Sequence, residues 1–418
     1  MSELRSLLSA FLAAALFAHP CAGQPAPSGT TVLRTSRILD GAGGVLEGRD
    51  VVIRDGRIVE LAPRGQVQGD VVYDLTSHTL LPGLIDTHVH IGSYFEPDGT
   101  VHLPEAEGTP GEISVYAAEN AYRTVMSGVT TVQSIGAADD ADLKEWIERG
   151  TIPGPRVLTS LGMVRGETGS PEEIRRFVRE RAAAGADVVK VFASASIRFG
   201  GVTTVSAEQL EAACGEARAR GLRSVVHVYL PDAVELAARA GCTQIEHGWL
   251  LNEGSLRRIA EAGMYFGTQI GLLFRNYADY RDRFVAAGYT AEGLDQLQEA
   301  RTKALAVFRE ALDVSGLKLV FSSDAIAGGH GRNVQELIAH AEDGGRRPMD
   351  VVISATSLAA QSLGMGDRIG TIGPGFEADV IAVDGDPLAD PGALNRVVFV
   401  MRGGTVYKNL PALPNRER

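Results

Sequence analysis

The middle of the chain, roughly residues 83–363, alternates short apolar runs with amphipathic segments, and this repetition restricts the possible folds more than any other feature. The runs have the length of strands, and the segments between them repeat apolar residues with a helical period. Eight runs occur, at 84–90, 130–136, 156–161, 188–194, 223–229, 243–248, 265–270 and 319–325. Eight strand–helix units predict an α/β fold, a (β/α)8 barrel. A doubly wound open sheet is the alternative, but no glycine-rich phosphate loop follows the first run.

The segments on either side of this region have a different texture. Residues 30–82 and 364–418 contain short alternating strands separated by turns such as Asp-Gly, which are typical of hairpins. Neither segment has enough apolar surface to fold alone. The sequence therefore predicts one discontinuous β-sandwich, built from both termini and flanking the barrel of residues 83–363.

Residues 1–29 read as a targeting segment followed by a linker. Arg5 precedes an apolar run at 7–18 that is too short to span a bilayer, and small residues then lead into a Gln/Pro/Ser stretch. This pattern predicts a secretory signal peptide cleaved within 22–26. The mature protein is therefore expected to be exported, either periplasmic or secreted, with no membrane attachment after cleavage.

The bulk composition narrows the class of partner. The 418 residues include 44% hydrophobic and 22% charged residues, as in an ordinary globular protein, and carry a net charge of −12. A negative chain is poorly suited to nucleic acid or to an anionic membrane. We expect a small-molecule substrate, and a homo-oligomer is an open possibility. In the mature chain only Cys214 and Cys242 remain, and two separate buried thiols are expected rather than a disulfide.

The stretch LIDTHVHI, residues 84–91, carries the first candidate ligands. Asp86, His88 and His90 stand at every second position, so strand alternation places all three side chains on one face. Two neutral imidazoles in this spacing can hold a divalent ion, and Asp86 is expected to orient them. An isolated His-x-His is more often a pair of half-buried strand histidines, so further ligands are needed.

Further candidates stand at the ends of later strand-like runs. Lys190 interrupts an apolar run, where a bare ammonium is costly unless it is paired or converted by CO2 into an anionic carbamate. His227 and His247 end the fifth and sixth runs, and Asp324 follows the eighth. Taken singly, these residues have ordinary explanations as a salt-bridged lysine, core histidines and a helix cap. Together they are a specific set, because the carboxyl ends of barrel strands converge on one rim.

The chain resembles the amidohydrolase superfamily, in its binuclear form with a carboxylated lysine. The matching motifs are PGLIDTHVH, GVTTV, GADVVKVFAS, VVHVY, AGCTQIEHG, SSDA and GTIGPGFEADVIAVDGDPL. The resemblance implies two divalent ions, zinc first among them. It assigns His88 and His90 to the inner ion, His227 and His247 to the outer ion, and carboxylated Lys190 to both. Asp324 would bind the inner ion and act as the proton shuttle for a metal-bridged hydroxide.

The nearest branch within this superfamily is the imidazolonepropionase-like group, which contains Xaa-Pro dipeptidases. Three departures bear on the substrate. Tyr229 stands where relatives commonly have a second strand-five histidine, TSLGMVRGETG lacks their Gly-Gly-His, and Gln133-Ser134 replaces Arg-Asp. The metal ligands are intact, so the departures affect the substrate rather than the hydrolytic chemistry.

The favoured reaction is hydrolysis of an amide bond in a dipeptide or N-acyl amino acid. Tyr229 shares a strand face with His227 and is a candidate oxyanion donor, although a packing role is equally compatible. His330 and Arg198 are candidate substrate contacts, as are Arg275 and Arg332. The long segments 92–110 and 271–316 are expected to form lids over the site.

Other functions use the same ligand set. A lactonase, a phosphotriesterase-like esterase or a cyclic-amide hydrolase would differ only in the shape of the pocket. A deaminase is less compatible, because such members usually hold one metal without a bridging lysine. A barrel kept only for binding would require a broken ligand set, and none of the six residues is missing.

Overall fold

The computed structural model of the protein describes residues 29–102 and 110–410. The expected signal peptide lies outside these residues. Within them, no helix is both long enough and apolar enough to cross a membrane.

The strands are β1 Thr31–Arg34, β2 Arg37–Leu39, β3 Val45–Glu47, β4 Arg49–Arg54, β5 Arg57–Pro63, β6 Val71–Asp74, β7 Thr79–Pro82, β8 Leu84–Val89, β9 Tyr94–Phe95, β10 Val101–His102, β11 Val129–Ser134, β12 Arg156–Thr159, β13 Met163–Val164, β14 Val188–Phe192, β15 Arg223–Val228, β16 Gln244–His247, β17 Tyr265–Gly267, β18 Lys318–Val320, β19 Val380–Val383, β20 Val397–Arg402 and β21 Thr405–Asn409.

The α-helices are α1 Pro110–Met126, α2 Asp140–Glu148, α3 Pro171–Ala183, α4 Ala207–Ala219, α5 Pro231–Ala240, α6 Glu253–Glu261, α7 Leu272–Asp279, α8 Arg281–Ala286, α9 Ala291–Leu312, α10 Val334–Glu342, α11 Pro348–Ser354 and α12 Ser357–Ser362. Short 3₁₀ helices occupy Gly166–Thr168, Ile197–Phe199 and Pro391–Asn395.

Parallel strands joined by helices form the middle of the molecule. One sheet has the order β12-β11-β8, and a second sheet runs from β13 to β18 in chain order. Backbone hydrogen bonds link β8 and the residue after it to the segment that follows β18. Thr87 N donates to Phe321 O at 3.1 Å, and His90 N donates to Ala325 O at 2.9 Å. Asp187 N, just before β14, donates to Thr159 O of β12 at 2.8 Å. The α/β class predicted from the sequence is confirmed, and the carboxyl ends of β8 and the later strands face a common space.

Local sequence explains where the crossover helices begin. Ser170 precedes α3 and accepts a hydrogen bond from Glu173 N, while the Glu173 carboxylate accepts from Ser170 N at 2.7 Å. Pro171 occupies the first helical position, where its missing N–H costs nothing. Such caps fix the helix starts, and therefore the length of each loop that leaves a strand end.

Both ends of the described chain contribute to a second group of strands. One sheet has the order β5-β4-β1-β6, and the other has the order β21-β20-β19-β7-β2-β3, so the latter combines strands from both termini. Leu33 and Val51 from the first sheet share a buried apolar cluster with Phe399 and Met401 from the second.

The only disulfide among the described residues joins Cys214 to Cys242, with their Cα atoms 5.2 Å apart. The prediction of two separate thiols was wrong. Cys214 lies within α4, and Cys242 lies just after α5. These two helices pack against each other and bring the cysteines together. The spacing of two cysteines in a sequence does not reveal such a contact.

Candidate metal centre

Three side chains from two strand ends form the inner part of the site. His88 and His90 lie at the end of the fully buried strand β8, and Asp324 follows β18. Oδ1 of Asp324 lies 3.3 Å from Nε2 of His88 and 3.1 Å from Nε2 of His90. The donor atoms of the three residues all lie within 4.8 Å of one another, a grouping that can hold one metal ion.

Two further imidazoles stand beside this group. His227 is the last residue but one of β15, and His247 is the last residue of β16. Their ring centroids are 4.3 Å apart. The ring of His247 lies 5.5 Å from that of His88. Nε2 of His227 is buried and has no hydrogen-bond partner among the described residues. A buried imidazole nitrogen without a partner needs a ligand, and a cation would supply one.

Lys190 lies between the two groups. Its side chain projects from β14 and is only 1% exposed, and its Nζ lies 3.5 Å from Nε2 of His88. The described part of the structure offers this amine no ion-pair partner. Burial lowers the pKa of Lys190 to about 8, although Glu246 and Asp324 act in the opposite direction. An amine held partly neutral in a closed site is the form that reacts with CO2.

The protonation states of the cluster suit metal binding. Burial first, and then the charge of Lys190, place the pKa of His88 well below its ordinary value. Burial also lowers the pKa of His227 far below normal and that of His247 to about 3. Burial alone would raise the pKa of the Asp324 carboxyl, but His88 and His90 outweigh it and lower that pKa. Neutral imidazoles and an ionised carboxylate are the ligand forms.

Glu246 and Gln269 support the cluster and were not predicted from the sequence. Glu246 Oε2 accepts a hydrogen bond from Nδ1 of His88 at 2.9 Å, which leaves the His88 Nε2 lone pair facing the site. Oε1 of Gln269 lies 2.8 Å from Nδ1 of His247, and its Nε2 donates to Glu246 at 3.1 Å. One glutamate and one glutamine therefore fix the orientation of two imidazoles.

The backbone makes this arrangement possible. Glu246 and His247 are consecutive, so an unbroken strand would point them to opposite faces. His247 has a φ of 70° and Asp324 a φ of 52°. Both lie in the left-handed backbone region, which residues other than glycine rarely adopt. Because His247 leaves the strand geometry at this point, both it and Glu246 reach the centre.

A cavity of about 470 Å³ opens above the cluster. All six predicted metal ligands line it: His88, His90, Lys190, His227, His247 and Asp324. Most of the remaining wall is apolar or aromatic: Met163, Phe192, Ala195, Phe199, Tyr229, Trp249, Leu273, Tyr277, Tyr289, Leu297 and Ile326. Its charged and polar residues are Arg165, Glu167, Ser194, Ser196, Arg198 and Thr204. A pocket of this size suits a small-molecule substrate.

Comparison with known proteins decides the family. The sequence profile of the amidohydrolase family matches residues 79–408. This chain belongs to the amidohydrolase family. The family predicted from the motifs is confirmed, and with it the class of enzyme, a hydrolase that acts on carbon–nitrogen bonds.

Individual relatives cover nearly the whole chain. Ochratoxinase from Aspergillus niger is 24% identical over 431 residues, which span 90% of this chain and 86% of that protein. A solved Xaa-Pro dipeptidase with bound methionine superposes with a TM-score of 0.82 and 25% identity, covering 91% of this chain and 100% of the other. A prolidase complexed with N-methylphosphonate-L-proline gives a TM-score of 0.80 and 26% identity, with coverage of 91% and 100%.

Amidohydrolases are typically metal-dependent, and the donor set of this member fits that requirement. The unpartnered Nε2 of His227 and the neutral imidazoles are features that bound cations would satisfy. His88, His90 and Asp324 form one group that could hold a metal ion, and the rings of His227 and His247 lie beside it.

Asp86 has a different task in this amidohydrolase from the one expected. Its carboxylate accepts hydrogen bonds from Ser323 N at 3.0 Å and from Nδ2 of Asn333 at 2.8 Å, and no described contact joins it to an imidazole ring. It therefore ties β8 to the segment that carries Asp324, while Glu246 orients His88.

The structure separates the predicted substrate contacts. Tyr229 and Arg198 line the cavity, but His330 does not. His330 is buried behind the site, next to the backbone of His90, where burial lowers its pKa to about 3. Arg275 pairs with Asp343 at 3.5 Å and Arg332 with Asp279 at 2.6 Å, and neither lines the cavity.

The two predicted lids contribute unequally. Segment 271–316 folds into α7, α8 and α9, which bring Leu273, Tyr277, Tyr289 and Leu297 to the cavity wall. In segment 92–110, the described residues form the β9–β10 hairpin, and they do not line the cavity. Residues 103–109 of this segment lie outside the described part of the chain.

Proposed function

We propose that this amidohydrolase is an exported, binuclear metal enzyme that cleaves the amide bond of a dipeptide or N-acyl amino acid. The observation that carries the proposal is Lys190, a buried amine with no ion-pair partner in the described structure, placed between two groups of ligands. A CO2-derived carbamate on Lys190 would replace a costly buried ammonium by an anionic bridge.

The geometry of the cluster supports two ligand sets. His88, His90 and Asp324 would hold the inner ion, His227 and His247 the outer ion, and carboxylated Lys190 would contact both. Zinc is our first choice because the set is dominated by imidazole. When bound, the two ions would activate a water molecule near neutral pH and polarise the scissile carbonyl.

The chain's own groups supply the proton transfers and the orientation. Asp324 is held ionised by the two histidines beside it, so its carboxylate can accept the proton of the attacking water. The same carboxylate returns that proton to the leaving amine, which is a poor leaving group without it. The phenol of Tyr229 lines the cavity beside His227 and would donate to the oxygen on which negative charge develops.

The substrate class is supported by the relatives and by the wall of the cavity. One similar structure is a Xaa-Pro dipeptidase that holds methionine, and another is a prolidase that holds a phosphonate derivative of proline. The apolar wall suits an amino acid with an apolar or aromatic side chain.

The organisation of the chain belongs to the same proposal. We interpret residues 83–363 as a closed (β/α)8 barrel and residues 30–82 with 364–418 as a β-sandwich. The hydrogen bonds from β8 to the segment after β18 support closure, and the apolar cluster shared by the two terminal sheets supports the sandwich. A disulfide suits the oxidising compartments to which a signal peptide leads, which supports export.

The test combines metal analysis with a hydrolysis screen. The purified mature enzyme should contain about two divalent ions per chain and should cleave dipeptides or N-acyl amino acids with apolar side chains. A chelator should remove both the metal and the activity, and zinc with bicarbonate should restore them. Turnover of lactones, phosphotriesters or cyclic amides without turnover of linear amides would transfer the proposal to one of those reactions. A protein that binds no metal would contradict it.

A further inference from the structure

Arg198 is a cationic side chain in the cavity wall with no carboxylate partner among the described residues. Its Nε donates to Oγ of Ser196 at 3.3 Å. Its guanidinium carbon lies 3.9 Å from the ring centroid of Tyr289, so the cation covers the aromatic face. The two terminal nitrogens of this guanidinium have no hydrogen-bond acceptor in the described structure. These are the atoms with which an arginine makes paired hydrogen bonds to one carboxylate.

The position of Arg198 is fixed before any substrate arrives. Ser196 accepts a hydrogen bond from Arg198 N and so caps the short 3₁₀ helix Ile197–Phe199. The aliphatic part of the side chain lies against Gly293 at the start of α9, where an added Cβ would come within 3.4 Å of Arg198 Cδ. Tyr289 thus lies under the guanidinium and Gly293 beside the aliphatic part, and these contacts restrict the side chain before substrate binds.

The other arginines considered as carboxylate-binding residues differ from Arg198, because each lies beside a carboxylate of the protein. Arg275 and Arg332 both have aspartate partners, at 3.5 Å and 2.6 Å. Arg165, the other arginine of the cavity wall, lies 4.0 Å from Glu167. In a chain of net charge −12, an arginine without a carboxylate is available for an anion from outside.

Tyr229 and Tyr277 line the same cavity as Arg198. Its charge acts on both Tyr229 and Tyr277, opposing the effect of burial on their pKa values. Both tyrosines line the same cavity as the metal ligands. The guanidinium therefore supplies positive charge inside the cavity that the metal ligands line.

We propose that Arg198 binds the free α-carboxylate of the substrate and thereby selects amides whose amine product is an amino acid. This inference rests on the proposed function, and it adds which part of the substrate is recognised. Peptide interiors and C-terminal amides lack this group, so the enzyme would act at a free C-terminal residue. Arg198 is a specificity residue in this account, because it touches substrate away from the scissile bond.

The experiment compares matched substrate pairs. N-acetyl-L-phenylalanine and N-acetyl-L-methionine are each assayed beside their C-terminal carboxamides, with the released acetate measured. The wild-type enzyme should prefer the free acids. Arg198→Gln should lower kcat/KM for the acids by about 10- to 100-fold, mainly through KM, as expected for the loss of a charge-assisted contact, and should leave the carboxamides unchanged. Arg198→Lys should recover part of the preference.

Arg275→Gln is the matched control. It removes an arginine whose partner is Asp343, outside the cavity, and should leave the preference for acids intact. Thermal unfolding of each variant shows that it is folded. An unchanged ratio of acid to carboxamide turnover in Arg198→Gln, or no preference in the wild type, overturns the role of Arg198 while amide hydrolysis stands. If the wild type cleaves no amide at all, the proposed function itself fails.

Discussion

The inner end of the cavity and its mouth are built by different rules. The inner side chains stand on strands or directly after them, are nearly all buried, and are connected through Glu246 and Gln269. The mouth is formed by loop and 3₁₀-helix residues such as Arg198, Phe199 and Tyr289, and Arg198 there lies over the ring of Tyr289. Phe199 is 71% exposed, whereas Lys190 is 1% exposed.

This difference separates chemistry from selectivity. Side chains fixed by strands and by several hydrogen bonds can hold ions in one geometry for any substrate. Residues on loops can differ between relatives without disturbing that geometry. Changes at the inner end should therefore reduce turnover of every substrate, while changes at the mouth should act through KM and depend on the substrate.

The largest effect is expected for Lys190→Ala. It removes the only amine of the cluster and with it the group that would join the two ligand sets, so turnover should fall at least about 1000-fold for all substrates and metal content should drop. Kinetics and metal analysis of the purified variant measure both. Lys144→Ala, which removes a half-buried lysine paired with Asp187 away from the cavity wall, is the control. Activity retained by Lys190→Ala would reject the bridging role.

Tyr229→Phe tests the border between the two regions. Loss of one donor to a developing oxyanion should lower kcat by about 100- to 1000-fold and leave the metal content unchanged. Tyr265→Phe, on β17 and away from the cavity, should be silent. If kcat is preserved and only the melting temperature changes, Tyr229 packs in the cavity wall and takes no part in the reaction.

Glu246→Gln tests the support of the inner end. The variant keeps the size of the side chain but removes the charge that orients His88, so metal affinity or kcat should fall by about 10- to 100-fold. Competition with a chelator measures the affinity. Glu235→Gln, at an exposed ion pair with Arg258, provides the comparison. An effect confined to KM for one substrate would place Glu246 with the mouth instead.

The smallest effect is expected for Phe199→Ala. Because this ring is mostly exposed, its loss should not alter the melting temperature, and only substrate contacts at the rim are removed. KM should rise by about 3- to 10-fold for substrates with aromatic side chains, while kcat stays constant. Val202→Ala, on the same loop but not in the cavity wall, should behave as the wild type. A fall in kcat on all substrates would break the distinction between the two regions.

The same division explains what the sequence could predict. His88 and His90 were identifiable from strand alternation, and Lys190 from its position in an apolar run, because those patterns depend on one element at a time. Glu246 was missed because alternation assigns it to the face opposite His247, and the left-handed turn that cancels this rule is invisible in the sequence.

Features that depend on distances between elements were out of reach. Cys214 and Cys242 meet only because α4 packs against α5. His330 follows Asp324 by six residues, yet the chain turns it behind the site, and nothing local marks that direction. The α/β class depends only on local patterns of apolar residues, and the sequence predicts the fold class for that reason.

The left-handed backbone at His247 and Asp324 also limits how this centre can be re-engineered. Aspartate, asparagine, histidine and glycine tolerate that conformation, whereas most other residues lose about 1–2 kcal/mol in it. Variants with cysteine or glutamate at these two positions, made to change the metal preference, would lower the free energy of unfolding whether or not that preference changes. Diversity is better introduced at His90 or His227, whose backbones carry no such restriction.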